Sequence, residues 1–92
     1  MLHELKIQPE YYDAVANGIK TFEIRKNDRN YNVGDTLLLK EFDKNDIYNR
    51  KWANHSEYTG RELCVVITYI FNLKDFLSID EDYVVLGIKV RE

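Results

Sequence analysis

The stretch from Pro9 to Lys26 most constrains the fold, because a helix must stop and a strand must start there almost back to back. Proline suits a first helical position, where its missing N–H costs nothing, so a short helix is expected over Pro9–Asn17. Glu10 and Asp13 lie toward the positive end of its dipole. Tyr11, Ala14 and Val15 recur at i, i+3 and i+4 as an apolar stripe. Asn17-Gly18 then stops the helix, since glycine tolerates the left-handed conformation that caps it. From Lys20 to Lys26 the residues alternate, the period of a half-buried strand. Phe22 and Ile24 share one face, expected to meet the core. Thr21, Glu23 and Arg25 share the other, expected to line a cleft with Lys20 at its entrance.

Elsewhere the pattern is mostly strands. Leu2–Ile7 alternates, with His3, Leu5 and Ile7 on one face and Glu4 and Lys6 on the other. Asn27–Asn30 and Asn32–Asp35 are turns by composition. Thr36–Phe42 is a strand whose Leu37-Leu38-Leu39 run predicts burial on both sides, and Glu62–Phe71 is the longest and most apolar strand. Residues 43–57 are polar and aperiodic, a loop length that marks a functional or mobile element in a small domain. Leu73, Phe76 and Leu77 fit a short helix, an acidic turn follows, and Tyr83–Val90 closes the sheet. Five or six strands with one early helix predict an α+β domain, a small and mostly antiparallel barrel or an open sheet, spanning residues 1–92 as one unit.

Size and charge narrow the function. Ninety-two residues suffice for one modest core. The net charge of −3 argues against a protein that coats nucleic acid non-specifically. Residues 62–92 carry three Lys/Arg against six Asp/Glu, whereas the rest of the chain is balanced. Within residues 20–29, Lys20, Arg25, Lys26 and Arg29 outnumber Glu23 and Asp28. Such a focus suits a discrete anionic ligand. Cys64, the one cysteine, reads as a small buried apolar residue. No signal peptide or membrane span is evident, which points to the cytoplasm and to no membrane partner.

Gly18-Ile19-Lys20-Thr21 followed by Glu23-Ile24-Arg25 resembles the G-x-K-T-x-E-x-R motif of ASCH domains, which belong to the PUA-like superfamily of small β-barrels. The chain is most similar to a branch of small stand-alone ASCH/PUA-like proteins, typical of bacteria and their phages, without an assigned function. The similarity runs from His3–Tyr11 through Lys26–Arg29 and Val33-Gly34-Asp35 to Tyr58-Thr59-Gly60-Arg61. It implies a PUA-like barrel, and it selects the barrel over the open sheet. It specifies fold better than activity, because one fold hosts many functions.

The residues that carry chemistry cluster on the alternating strand. A carboxylate such as Glu23 accepts hydrogen bonds from an exocyclic amino group like that of cytosine. Arg25 complements phosphate with two parallel donors and Lys20 as a point charge. With Thr21, and with His3, Lys6 and Arg29 from the wider stretch of similarity, they form the expected ligand-binding set. Each also has a plain structural explanation: a cation at a helix C-terminus for Lys20, a surface ion pair for Glu23 and Arg25, a core-edge imidazole for His3. Tyr48, Trp52 and Tyr58, interleaved with Arg50, Lys51 and Arg61, would make a stacking lid over a base, or Trp52 would plug the barrel end. His3, His55 and Cys64 lack ligand spacing, so no metal is expected. No phosphate-binding glycine loop is present, and Ser56 and Thr59 have no paired base. No cofactor is called for.

Three functions remain in view. The first is a binding module for RNA or a nucleotide, with a monomer as the expected state. The second is an amidohydrolase. Some small ASCH proteins cleave N4-acylated cytidine with a lysine, a threonine and a glutamate. Lys20 and Thr21 match the motif, but Glu23 stands where those enzymes carry their catalytic threonine, and Glu62 is the nearby candidate for the later glutamate. Lys20, Glu23 and Glu62 would then be the catalytic set. The third is a protein-interaction module of phage origin, docking through its acidic C-terminal end.

Overall fold

The computed structural model describes residues 1–43, 57–78 and 80–91. Its elements run β1 (Leu2–Ile7), α1 (Pro9–Ala16), β2 (Phe22–Lys26), β3 (Thr36–Phe42), β4 (Tyr58–Asn72), α2 (Leu73–Leu77) and β5 (Tyr83–Val90). Five strands form one sheet in the order β1-β3-β4-β5-β2. The β1–β3 pair is parallel, with Leu2 opposite Thr36 and Ile7 opposite Glu41, and the other three pairs are antiparallel. The result is a mixed α+β domain whose sheet curls into a half-barrel.

The curl brings the two edge strands within side-chain reach. Arg25 on β2 donates to the Lys6 carbonyl on β1 at 2.6 Å, and Arg29 just beyond β2 donates to the Glu4 carbonyl at 2.7 Å. Edge carbonyls that would otherwise need water are thereby satisfied by guanidinium groups.

Alternation along the strands builds the core. Leu5 and Ile7, Leu37 and Leu39, Val65 and Ile67, and Val84, Leu86 and Ile88 all point inward. Leu38, between two fully buried leucines, is only half-buried. From α1 the core receives Tyr12 and Val15, so the buried stripe is one residue over from the expected Tyr11, which is exposed. The Tyr12 hydroxyl donates to the Glu62 carbonyl at 3.0 Å and fixes the helix against β4. At the helix end Gly18 adopts φ 74°, which lets the N–H groups of both Ile19 and Lys20 return to the Ala14 carbonyl. The chain is thereby turned directly into β2.

Two expectations about faces fail. Phe22 and Ile24 are 42% and 53% exposed, and it is Glu23 that is buried. Phe22 lies opposite Gly87, itself opposite Tyr69; Ile24 lies opposite Val85, itself opposite Phe71. These rows form an apolar outer surface, extended by Phe76 of α2, whose ring packs against Phe71 at 5.5 Å. Cys64 also lies on the outer face and is exposed, because Val65 and Ile67 take the inward positions.

Candidate functional site

The break between α1 and β2, together with the end of β1, frames a cleft of about 430 Å³. Lys6, Ile7 and Gln8 form one wall, Tyr11 and Lys20 another, and Phe22, Glu23, Ile24 and Arg25 the third. Its volume falls within the ~300–1,000 Å³ usual for small-molecule sites. Three of the lining residues are cationic and one is a carboxylate, so the cleft carries a formal charge of +2 on a protein of −3.

Glu23 is the pivot. Its side chain is 5% exposed, and each of its oxygens has a cation. Lys20 Nζ donates to Oε1 at 2.5 Å, while Arg25 donates to Oε2 from Nε at 3.1 Å and Nη2 at 2.9 Å. A buried carboxylate is costly unless paired and hydrogen-bonded, and here it is both. The i, i+3 spacing of Lys20 and Glu23 across the start of the strand makes the first contact, and the i, i+2 spacing of Glu23 and Arg25 on one face makes the second. The Lys20 ammonium also lies 4.7 Å from the Tyr11 ring centre and 5.2 Å from that of Phe22, so two aromatic faces flank the charge. Phe22 thus belongs to the rim of the cleft and not to the core.

The remaining expected site residues are dispersed. Lys6 lines the cleft, but Thr21 does not; its side chain is exposed and its carbonyl accepts the Ile88 N–H. Arg29 holds the edge of β1. His3 is buried, bonds Asp35 at 2.8 Å through Nε2 and packs against the Tyr31 ring at 4.9 Å. Asp35 also accepts from the Asn32 N–H at 3.0 Å and the Met1 amino group at 3.1 Å. These donors, His3 first, hold its carboxyl at about 2, well below the usual carboxylate range. Burial pushes the Tyr31 hydroxyl up. His3 and Asp35 therefore tie the starts of β1 and β3 together and do not face the cleft. Glu62 is exposed, opposite Lys40 on the outer face, so the structure does not join it to Lys20 and Glu23. Trp52 falls in residues 44–56, outside the described residues, as do Tyr48 and His55.

Another buried carboxylate, besides Glu23 and Asp35, was not among the expected site residues. Glu41, at the inward end of β3, accepts from Arg61 at 2.9 and 2.6 Å and from the Thr59 hydroxyl at 2.6 Å. Arg61 also reaches Asp13 at 3.0 Å and lies 4.3 Å over the Tyr12 ring. Hydrogen bonding to Glu41 raises the Arg61 pKa further above its already high value. Arg61, expected in a lid, instead bolts α1 to β3 and β4. Tyr58 stands apart from it, edge-on to Phe42 at 5.1 Å.

The comparison with known proteins follows this architecture. Residues 2–88 match the family described as Domain of unknown function (DUF3850). The chain belongs to that family. It is also 41% identical over 85 residues to the "Uncharacterized 12.9 kDa protein in GpA 3'region" of Escherichia phage P2. The alignment covers 92% of this chain, which spans 65% of that relative. Both matches agree with a small phage-type domain without an assigned function, and neither name carries an activity. Among the described residues, no helix is long and apolar enough to cross a membrane, and no three His, Cys, Asp or Glu side chains are placed to hold a metal ion.

Proposed function

We propose that this chain is an ASCH/PUA-like binding module that takes a nucleotide, free or as part of RNA, in the cleft around Glu23. The observation that carries the reading is the composition of that cleft. Lys20 and Arg25 pair with one buried carboxylate, the Tyr11 and Phe22 rings flank Lys20, and Lys6 lines the same cleft. The excess positive charge suits a phosphate, the rings offer a face to a base, and the Glu23 oxygens accept from an exocyclic amino group. The two cations on Glu23 hold its oxygens in place, a preorganised acceptor. Lys20, Glu23 and Arg25 are also the residues that carry the resemblance to the G-x-K-T-x-E-x-R pattern of ASCH domains.

Calorimetric titration with the four nucleoside monophosphates and with a short single-stranded RNA tests the reading. At least one should bind, more weakly as salt rises, and Lys6→Ala should weaken binding without lowering the melting temperature, because Lys6 is exposed and in no ion pair among the described residues. Failure of all five ligands to bind at low salt would end the proposal.

A further inference from the structure

Resting on that reading, we infer that a second phosphate subsite adjoins the cleft across the β1 edge, so that the ligand carries more than one phosphate. A neighbouring hollow of about 320 Å³ is lined by Lys6, Arg25, Arg29 and Lys40, with Glu4 as the one acidic residue. Lys6 and Arg25 line both hollows, so the two share a wall. Four cations against one carboxylate is a strongly positive grouping on a chain whose net charge is negative.

The bonding of the two arginines separates this hollow from a scatter of solvated lysines. Arg25 and Arg29 are anchored by the Lys6 and Glu4 carbonyls at 2.6 and 2.7 Å, which fixes two guanidinium groups side by side along the strand edge. The carbonyl that holds Arg29 leaves its charge uncancelled, whereas Arg25 is shared with the Glu23 carboxylate. Lys6, Arg29 and Lys40 form no ion pair with a carboxylate among the described residues. The Lys40 ammonium lies 4.9 Å from the ring of Tyr58, which lines the hollow, and the Lys6 ammonium lies 4.5 Å from the Phe42 ring and 5.9 Å from that of Tyr58. Like charges held this close repel one another, and an anion removes that penalty. Planar guanidinium donors in a fixed pair match phosphate oxygens.

A nucleotide seated by Glu23 would direct its first phosphate to Lys6 and Arg25, the shared wall. Its second would then fall to Arg29 and Lys40. Two sources present that chemistry: the next phosphodiester of a single strand, and the outer phosphates of a nucleoside triphosphate.

The experiment compares a nucleoside monophosphate, the matching triphosphate and the matching 5′-phosphorylated dinucleotide, on the full chain and on Lys40→Ala. Lys40 lines the second hollow and not the cleft. The dinucleotide or the triphosphate should bind about tenfold tighter than the monophosphate, the scale of one charge-assisted contact. Lys40→Ala should abolish that gain and leave the monophosphate affinity unchanged. Whichever of the two ligands shows the gain identifies the source. Equal affinity for all three overturns the subsite while leaving the cleft reading intact, as does a gain that survives Lys40→Ala. Absence of monophosphate binding together with absence of binding by the other two overturns both. A melting curve of Lys40→Ala, expected to overlay the parent, guards against a folding defect.

Discussion

Arg25 Nη2 donates at once to the Lys6 carbonyl across the open side of the sheet, at 2.6 Å, and to Glu23 Oε2 in the cleft, at 2.9 Å. One guanidinium therefore closes the half-barrel and neutralises the carboxylate beneath it. Under the proposed function, stability and binding would share this residue, which changes how its substitution reads.

Arg25→Ala should cost about 2 kcal/mol of unfolding free energy, the scale of hydrogen bonds lost from a charged group. Glu23 keeps Lys20, so the loss stays below that of a fully orphaned buried charge. Arg25→Lys should recover part of this, since it restores the charge but not the forked geometry. Urea titration of the three proteins checks the ranking. An Arg25→Ala protein as stable as the parent would show that the bridge to β1 contributes nothing.

Phe22 and Leu37 make a paired test of which side chains fill the core. Leu37 is fully enclosed, so Leu37→Ala should cost ~2–5 kcal/mol. Phe22 is 42% exposed, and Phe22→Ala should cost only about 1 kcal/mol, far from the ~3–5 kcal/mol of a buried ring. If the two substitutions proved equally damaging, the observed facing of β2 would be wrong.

That facing marks the limit of what the sequence discloses. Alternation fixed β1, where Leu5 and Ile7 are apolar and inward, whereas on β3 the leucine run hid the facing, because Leu38 between the enclosed Leu37 and Leu39 is only half-buried. On β2 both faces are chemically coherent. The apolar rule chose Phe22 and Ile24 for the interior, but this end of the half-barrel is filled by Lys20, Glu23 and Arg25, which neutralise one another well enough to be buried. The spacing of those three charges was the available signal. No comparable signal existed for Glu41 and Arg61: they stand 20 residues apart, and only the β3–β4 register brings them together. The buried His3 was legible as a core-edge residue, but its bond to Asp35 depends on the parallel β1–β3 pairing.

Asp35 gives the fold an acid limit. Its carboxyl titrates at about 2 in the folded protein, below the ~3.9 of an unfolded aspartate. A depressed folded value means that the charged form is favoured by folding. Its contribution is therefore complete above about pH 4 and drains away as pH falls through about 2. Asp35→Asn should lower stability at neutral pH and flatten the decline between those two values. Urea midpoints measured from pH 7 to 2 on both proteins would show it. Parallel curves for parent and variant would remove Asp35 from the account of acid unfolding.

The last prediction separates binding from catalysis. Hydrolysis of N4-acetylcytidine would need water to attack the amide carbonyl, a group to accept the proton from that water, and release of acetate with cytidine. Glu23 is the acidic group placed in the cleft, yet each of its oxygens already accepts from a cation, Lys20 on one side and Arg25 on the other. Lys20 in turn directs its ammonium at Glu23, a donor geometry and not that of a nucleophile. Glu62, the other acidic candidate, is exposed on the outer face of β4. The expected outcome is no acetate release above the uncatalysed rate at neutral pH, followed by chromatography of the nucleoside. Glu23→Thr removes the ion pairs and sets the hydroxyl of the hydrolase pattern beside Lys20. It should lower both stability and nucleotide affinity and still give no turnover, because no carboxylate among the described residues lining the cleft remains to take the proton. Turnover by the parent that vanishes in Lys20→Ala would overturn this, and would make Glu23 the general base of an enzyme.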